Sequence, residues 1–394
     1  MVCYDPFSDE AVLGDPNPTY RLLRDEAPVY KLENWDAFAL SRFEDVWDAC
    51  SNRNIIASRG TTSSHLLTKV QPVTPMLNTM DPPDHSALRA QVRTLFLPGR
   101  MRKLDGLFRK FVTDKLDELS DRNEIDFVSE FAHPLAVFVA CTVAGFPLED
   151  GPLMKSLVDR FFHREPGTAG MTADGLVAME EIFGYFAALS AERRKKPVDG
   201  PDSIAVFQNF EDDDGRRASD EEVASHCLLL LIGGTDTLPK ALGNTMLRLA
   251  EHPEQRARVA ADPSLAQDAF LEALRLDMPT QHMMRSTVDD MEVRDVTIPA
   301  GSTILLLYAS ANRDEREFSD AERYVIDRRP PRFLGFSHGT HACLGLHAAK
   351  AEARISLEEI LARFPNFQIR REGLEKYVTD FVKGYQKIPL QWSE

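Results

Sequence analysis

The sequence predicts a mainly α protein with small β-sheets, folded as a single domain over residues 1–394. Three observations predict it. Apolar residues recur at three- and four-residue spacing through much of the chain, as on helices that face a core. Short runs rich in β-branched and apolar residues are confined to the start and the last third. The chain is 43% hydrophobic and no linker divides it, although 394 residues would suit two or three domains.

Charge and cysteine usage narrow the function classes. A formal net charge of -16 argues against nucleic acid or an anionic membrane as partner. Cys3, Cys50, Cys141, Cys227 and Cys343 form no CxxC pair, which favours a reduced, cytoplasmic setting. The start of the chain has no basic, apolar leader, and the apolar run Cys227–Ile232 is too short to span a bilayer. A membrane anchor is therefore not expected.

Taken in order, Asn17-Pro18 starts a helix with proline in its first turn, and Pro28 closes it. Val29–Leu32 and Phe38–Leu40 read as a hairpin, and Ser41 with Glu44 reads as a capping box for the next helix. Residues 60–80, with Gly60, Thr61, Thr62, Ser63, Ser64, Pro72 and Pro75, have no period and form a long loop. Asp81-Pro82-Pro83-Asp84 then opens a helix that sets His85 and Arg89 on one face.

Scaffold helices follow over 104–119 and about 134–144, then two more over 150–195 with a break at 166–170. Ser219 and Glu222 form a second capping box, opening a long helix over about 220–250. Inside it lies Gly233-Gly234-Thr235-Asp236-Thr237-Leu238-Pro239. The two glycines cost ~2 kcal/mol against alanine, and Pro239 offers no N–H to the Thr235 carbonyl. The helix should kink here, with the Thr237 hydroxyl turned back onto the Gly233 carbonyl to open a groove.

Glu272 and Arg275 stand at i and i+3 in an otherwise apolar helix, so the pair should be buried and bidentate. Arg285 follows ten residues on, and Met291–Tyr308 reads as a hairpin turning at Pro299-Ala300-Gly301. Arg89, Arg93, Arg328, Arg329 and Arg332 suggest a basic patch near the cysteine loop. A pocket wall is expected from Leu230, Thr280, Met283 and Met284, with Gln281 and His282 nearby, suited to a mainly apolar ligand with one polar handle.

The densest chemistry is Phe336-Ser337-His338-Gly339-Thr340-His341-Ala342-Cys343-Leu344-Gly345, a glycine-punctuated loop running into a helix that starts at about Cys343. Helix-start N–H groups and the helix dipole favour a thiolate at Cys343. A soft anionic sulfur suits an iron porphyrin. Gly339 and Gly345 would let a flat ring approach the backbone or supply positive φ, and Phe336 would keep the sulfur dry. Four potential ligands, His338, His341, Cys343 and His347, also leave zinc open.

The loop pattern Phe-x-x-Gly-x-His-x-Cys-x-Gly is similar to the haem-binding signature of the cytochrome P450 family, and the matching segments cover about residues 15–392. The resemblance implies the P450 fold, with haem b between the long central helix and the helix of the cysteine loop, and Cys343 as axial ligand to the iron. It implies propionate partners at His85, Arg89 and Arg285 and haem contacts from Gly233, Phe336, Gly339, His341 and Gly345. Asp236 and Thr237 match the acid-alcohol pair that manages protons for bound O2, and Glu272 and Arg275 the structural Glu-x-x-Arg. The 150–195 helix pair resembles the family's substrate lid.

The implied activity is hydroxylation, or another oxidation such as O-dealkylation, of a small organic molecule, with electrons from a ferredoxin or flavodoxin and its reductase. A peroxide-using variant would normally lack Asp236-Thr237, and a haem sensor would need no oxygen groove. Leu238-Pro239 departs from the family, where a second threonine is common.

Overall fold

A computed structural model describes residues 2–60, 62, 63, 66, 67, 74–165, 171–200, 202–212 and 214–392. Thr61, Ser64 and Pro72 of the expected long loop, and the break at 166–170, lie outside the described residues. The fold is mainly helical with small sheets.

The chain opens with α1 (Asp9–Val12) and α2 (Asn17–Glu26), the latter carrying Pro18 in its first turn and burying Tyr20 and Leu23. β1 (Val29–Leu32) and β2 (Ala37–Leu40) pair antiparallel, Val29 opposite Leu40. α3 (Phe43–Ser51) follows without the expected capping box. Ser41 is buried and its hydroxyl donates to the Pro28 carbonyl at 3.3 Å. The Phe43 N–H instead donates to Asp314 Oδ2 at 3.0 Å, across 271 residues of chain.

After β3 (Ile55–Ile56) come α4 (Asp84–Val92), α5 (Pro98–Leu119) and β4 (Glu124–Asp126). A π-helical turn over Phe127–Ala132 leads into α6 (His133–Ala144). The segment Phe127–Ala144 is long and apolar enough to cross a bilayer, with mean hydropathy 1.6, but 67% of it is buried inside the protein, as in a core helix. α7 (Gly151–Phe162), α8 (Ala173–Lys195) and α9 (Ser203–Asn209) then pack with α10 (Asp220–Thr235) around Ile182, Phe186, Phe207, Cys227 and Leu231.

The Ser219–Glu222 capping box opens α10 as expected. The long helix bends at Asp236, as expected: this residue keeps right-handed helical dihedrals and its N–H still reaches the Ile232 carbonyl at 3.3 Å, and α11 (Thr237–Glu251) starts directly after it. This restart explains how Pro239 is tolerated. It falls in the first turn of α11, where a missing N–H leaves no helical bond unmade.

α12 (Pro253–Ala261) and α13 (Ala266–Leu276) lead to β5 (Met283–Thr287), β6 (Met291–Val293), β7 (Val296–Ile298) and β8 (Thr303–Leu306). The expected hairpin around Pro299–Gly301 is corrected: β7 pairs with β6, turning at Arg294, while β8 leaves for another sheet. That five-stranded sheet has the order β1-β2-β8-β5-β3, with β2 and β8 parallel. α14 (Tyr308–Ala311) and the cysteine loop precede α15 (Leu346–Arg363).

β9 (Gln368–Ile369), β10 (Glu375–Lys376), β11 (Tyr385–Lys387) and β12 (Pro389–Gln391) end the fold, with Leu390 paired to both Ile125 and Ile369. The largest apolar cluster joins α5, α6, α11, α13 and α15 through Phe108, Leu135, Leu242, Phe270 and Ile355.

Candidate functional site

The cysteine loop is held by backbone geometry. The Cys343 N–H donates to the Phe336 carbonyl at 2.8 Å, closing the loop on itself. Gly339 adopts φ +69, and a Cβ there would sit 2.3 Å from the Cys50 carbonyl oxygen. Only glycine fits. Gly345 does not supply positive φ: its φ is -78, and among protein atoms a Cβ would lie 3.9 Å from Cys343 Sγ, an ordinary contact. Phe336 stands edge-to-face with Phe333 at 6.2 Å and packs on the main cluster.

α15 begins at Leu346, three residues later than expected, yet the N–H groups of Gly345 and Leu346 still favour a charged sulfur. The N–H groups and Arg89 pull toward the thiolate, as expected, while desolvation by the surrounding protein raises the thiol's pKa, although the residue itself is exposed.

The zinc alternative fails on geometry. His338 stacks on Trp47 at 3.7 Å, and His341 packs against His85 at 4.3 Å. Among the described residues, no three His, Cys, Asp or Glu side chains converge on a point that would hold a metal ion.

His85 and Arg89 do share a face of α4, and His85 is fully buried with neither ring nitrogen hydrogen-bonded. Burial, then Arg89, pushes its pKa down to about 4. Burial, then Arg285, takes His341 to about 2. Arg285, on β5 opposite Ile304, is also buried and donates to the Met284 carbonyl at 2.7 Å. Arg89 donates to the Ala342 carbonyl, fastening α4 to the cysteine loop. The two arginines, with the two neutral imidazoles beside them, form a partly buried cluster whose nearby anion is Asp81, 3.9 Å from His341 and already accepting from the N–H groups of Ala57 and Ser58.

A haem b fits this donor set. A single soft sulfur offers an axial ligand, and the unpartnered His85 nitrogens beside Arg285 and Arg89 suit carboxylates of the propionate kind.

Leu344 of this loop packs on the apolar cluster that holds Leu228 and Leu231 of α10, the helix that ends at Asp236. Leu230, Gly233 and Thr237 share one face at i, i+3 and i+7, and all three are partly or fully exposed while Leu231 and Thr235 are buried. A Cβ on Gly233 would meet nothing within 4 Å, whereas one on Gly234 would press Ala140 at 3.0 Å. Gly234 thus serves helix packing and Gly233 faces open space. The expected back-bond is corrected: Thr235, not Thr237, donates to a carbonyl one turn back, that of Leu231 at 2.7 Å. Thr235 is the buried one of the two, and its hydroxyl has no other outlet.

Glu272 and Arg275 form the expected buried bidentate pair, at 2.9 and 2.8 Å. The proposed basic patch is largely neutralised: Arg328 pairs with Glu272, Arg329 with Asp268, and Arg332 with Glu317 and Glu44. Arg93 remains exposed.

The expected pocket wall is corrected in part. Met283 and Met284 are consecutive on β5 and point to opposite faces of the sheet. Met284 is fully buried in the core with Leu305 and Ile304, so Met283 is the one left partly exposed. Thr280 is fixed by a bridge to Val382, and Leu230 keeps one side open. A cleft of about 800 Å³ is lined by Gln281 together with Arg21, Arg248, Arg371 and Lys383 among others.

Sequence reasoning missed Lys240, whose signal was a lone cation among apolar residues one turn after Asp236, and Tyr377, which packs against it.

A single sulfur presented by a clamped loop, together with a glycine-opened helix bend, is the arrangement of haem-thiolate proteins. A family model for cytochrome P450 matches residues 172–382. A putative cytochrome P450 123 of Mycobacterium tuberculosis (strain ATCC 25618 / H37Rv) is 34% identical, covering 98% of this chain and 96% of that protein. The vitamin D(3) 25-hydroxylase of Pseudonocardia autotrophica is 33% identical, covering 95% and 93%. The solved structure of cytochrome P450 CYP109Q5 from Chondromyces apiculatus matches at a TM-score of 0.86 and 28% identity, covering 100% of this chain and 98% of that one.

The chain belongs to the cytochrome P450 family, and it is a monooxygenase that uses haem b and O2.

Proposed function

We propose that the chain, acting as one domain, oxidises a mainly apolar small organic molecule, by hydroxylation or a related step such as O-dealkylation. Electrons come from a ferredoxin or flavodoxin with its reductase, in the cytoplasm. The observation that carries the site assignment is the clamped Cys343 at the foot of α15, its N–H donating to the Phe336 carbonyl at 2.8 Å in a loop whose Gly339 lies against the Cys50 backbone. Partly open Leu230 and Met283 with the polar Thr280 support an apolar substrate with one polar handle. The similarity to a vitamin D(3) 25-hydroxylase supports the same class.

In this reading Cys343 is the axial ligand, and His85, Arg89, Arg285 and His341 hold the propionates, with Gly233, Phe336, Gly339 and Gly345 shaping the cofactor's surroundings. The bound haem supplies O2 binding and its two-electron activation. The protein's residues position the substrate, exclude water and move protons. Asp236, at the helix bend, takes protons inward, and the Thr237 hydroxyl on the Gly233 face fixes where they are delivered.

Two measurements test it. Reduced protein under carbon monoxide should show the far red-shifted Soret band of thiolate ligation, and Cys343→His should abolish it; an unchanged band in the variant refutes the ligand. Thr237→Ala should keep haem and substrate binding yet release most reducing equivalents as hydrogen peroxide, since losing a positioned proton-transfer group costs ~10²-fold in its step. Equal product per reduced cofactor in both proteins would refute the role of Thr237.

A further inference from the structure

The bend between α10 and α11 holds a lysine in the protein interior. Lys240 stands one turn after Asp236, and the two side chains are only 2% and 4% exposed. Its ammonium donates to Asp236 Oδ1, donates to the Asp236 carbonyl oxygen at 3.0 Å, and lies 3.8 Å from the centre of the Tyr377 ring. Three N–H groups thus meet three acceptors.

The C-terminal hairpin is shaped around this side chain. Gly384, whose carbonyl accepts from the Tyr377 N–H at 3.0 Å, has φ +154, and a Cβ on it would sit 2.7 Å from Lys240 Cβ and 2.9 Å from its Cγ. A charged group so enclosed is costly to bury and does not arise as a solvated surface lysine.

The consequence falls on Asp236. One carboxylate oxygen is held by Lys240, while the other, Oδ2, is buried with no donor at ordinary hydrogen-bond distance. Tyr377 of the hairpin acts on Asp236 by charge and through a longer side-chain hydrogen bond, and Arg164, in the chain after α7, acts on it by charge. His133 of α6 lies within electrostatic reach of Lys240 and 3.9 Å from the half-exposed Asp159.

We propose that Lys240 is a positioning residue for proton delivery: it clamps Oδ1 of Asp236 and so leaves Oδ2 as the one oxygen that takes up a proton and hands it toward Thr237. The proton arrives on Oδ2 and leaves from Oδ2, after which the carboxylate is again the anion paired with Lys240. Lys240 keeps its own proton throughout. This inference rests on the reading of Asp236 and Thr237 as the proton-handling pair.

The test uses the full haem-loaded chain in four variants: Lys240→Met, Lys240→Arg, Asp236→Asn, and Lys240→Met with Asp236→Asn. Lys240→Met should lower product per reduced cofactor about tenfold or more through the misplaced carboxylate, with haem content unchanged. Lys240→Arg, which keeps the cation, should recover much of that loss. The double variant should be no worse than Asp236→Asn alone, since the lysine acts through the aspartate.

Melting gives a readout independent of turnover: each single variant should lower Tm by several degrees, and the double variant by less than the sum. Additive Tm changes would show that the pair does not form, and a wild-type product ratio in Lys240→Met would show that the lysine only holds structure; either overturns the proposal. A wild-type ratio in Asp236→Asn refutes the proton-handling reading instead, and the Tm cycle still reports on the pair. If Lys240→Met does not hold haem, Lys240→Gln is read by the same criteria.

Discussion

Glu272→Gln should cost the protein much of its stability, because the change removes one charge from a site with no water to replace it. Glu272 and Arg275 are 2% and 0% exposed at their side chains. Glu272 Oε1 accepts from Arg275 at 2.8 Å, Arg328 at 2.9 Å and the Val325 N–H at 3.1 Å, and Oε2 accepts from Arg275 at 2.9 Å. Arg275 in turn donates to the carbonyls of Asn312 at 2.8 Å and Ala321 at 2.9 Å, tying α13 to the chain that feeds the cysteine loop.

Glutamine keeps the shape but strips the anion from two arginines and turns an amide N–H toward donors. Breaking a buried pair in this way costs about 3–5 kcal/mol. With unfolding entropy of about 2.1 cal/mol/K per residue, a chain of this length loses about 4–6 °C in Tm. Calorimetric melting of both proteins, with the haem-to-protein ratio measured alongside, is the assay. Asp327→Asn serves as control, since Asp327 and Arg258 pair at 2.8 Å on the surface with about half of each side chain exposed and should leave Tm unchanged. A fall of under about 1 °C in Glu272→Gln would refute the argument that burial makes this pair matter.

Gly339→Ala should lose most bound haem, because its Cβ would need φ +69 and would meet the Cys50 backbone at 2.3 Å, while Gly345→Ala should keep it; equal haem-to-protein ratios in the two variants would refute this. His226, stacked on Phe207 at 4.7 Å, has its pKa pushed down to about 4 by burial, partly opposed by Glu222. Between about pH 6.5 and 4 the unfolded chain binds the extra proton, so stability is present above pH 6.5 and lost as pH falls, by up to about 1.4 kcal/mol per pH unit. Urea midpoints across that range should fall less steeply in His226→Phe; parallel curves would refute it.

What lies within one turn of helix was legible in the sequence. Ser219 and Glu222 cap α10, Pro18 starts α2, and His85 shares a face with Arg89, because each relation spans three or four residues whose geometry the helix itself supplies. The cysteine loop was legible for the same reason: Gly339, Cys343 and the Phe336 carbonyl are fixed relative to one another by a short closed segment.

The tertiary structure decided which of several equally good local partners was used. Asp314 displaced the Ser41–Glu44 box at α3 by bringing a carboxylate from 271 residues away. Arg329 and Arg332, read as a free basic patch, are neutralised by Asp268, Glu317 and Glu44 from other elements. β8 left its expected hairpin for β5 and β2, which buried Met284 and left Met283 at the surface of the sheet. Burial itself is the physical reason: a charged side chain shut away from water must take the partner that packing brings to it, as Arg328 does with Glu272. Local sequence sets which groups a residue can offer, and only the packed chain sets how much water they keep.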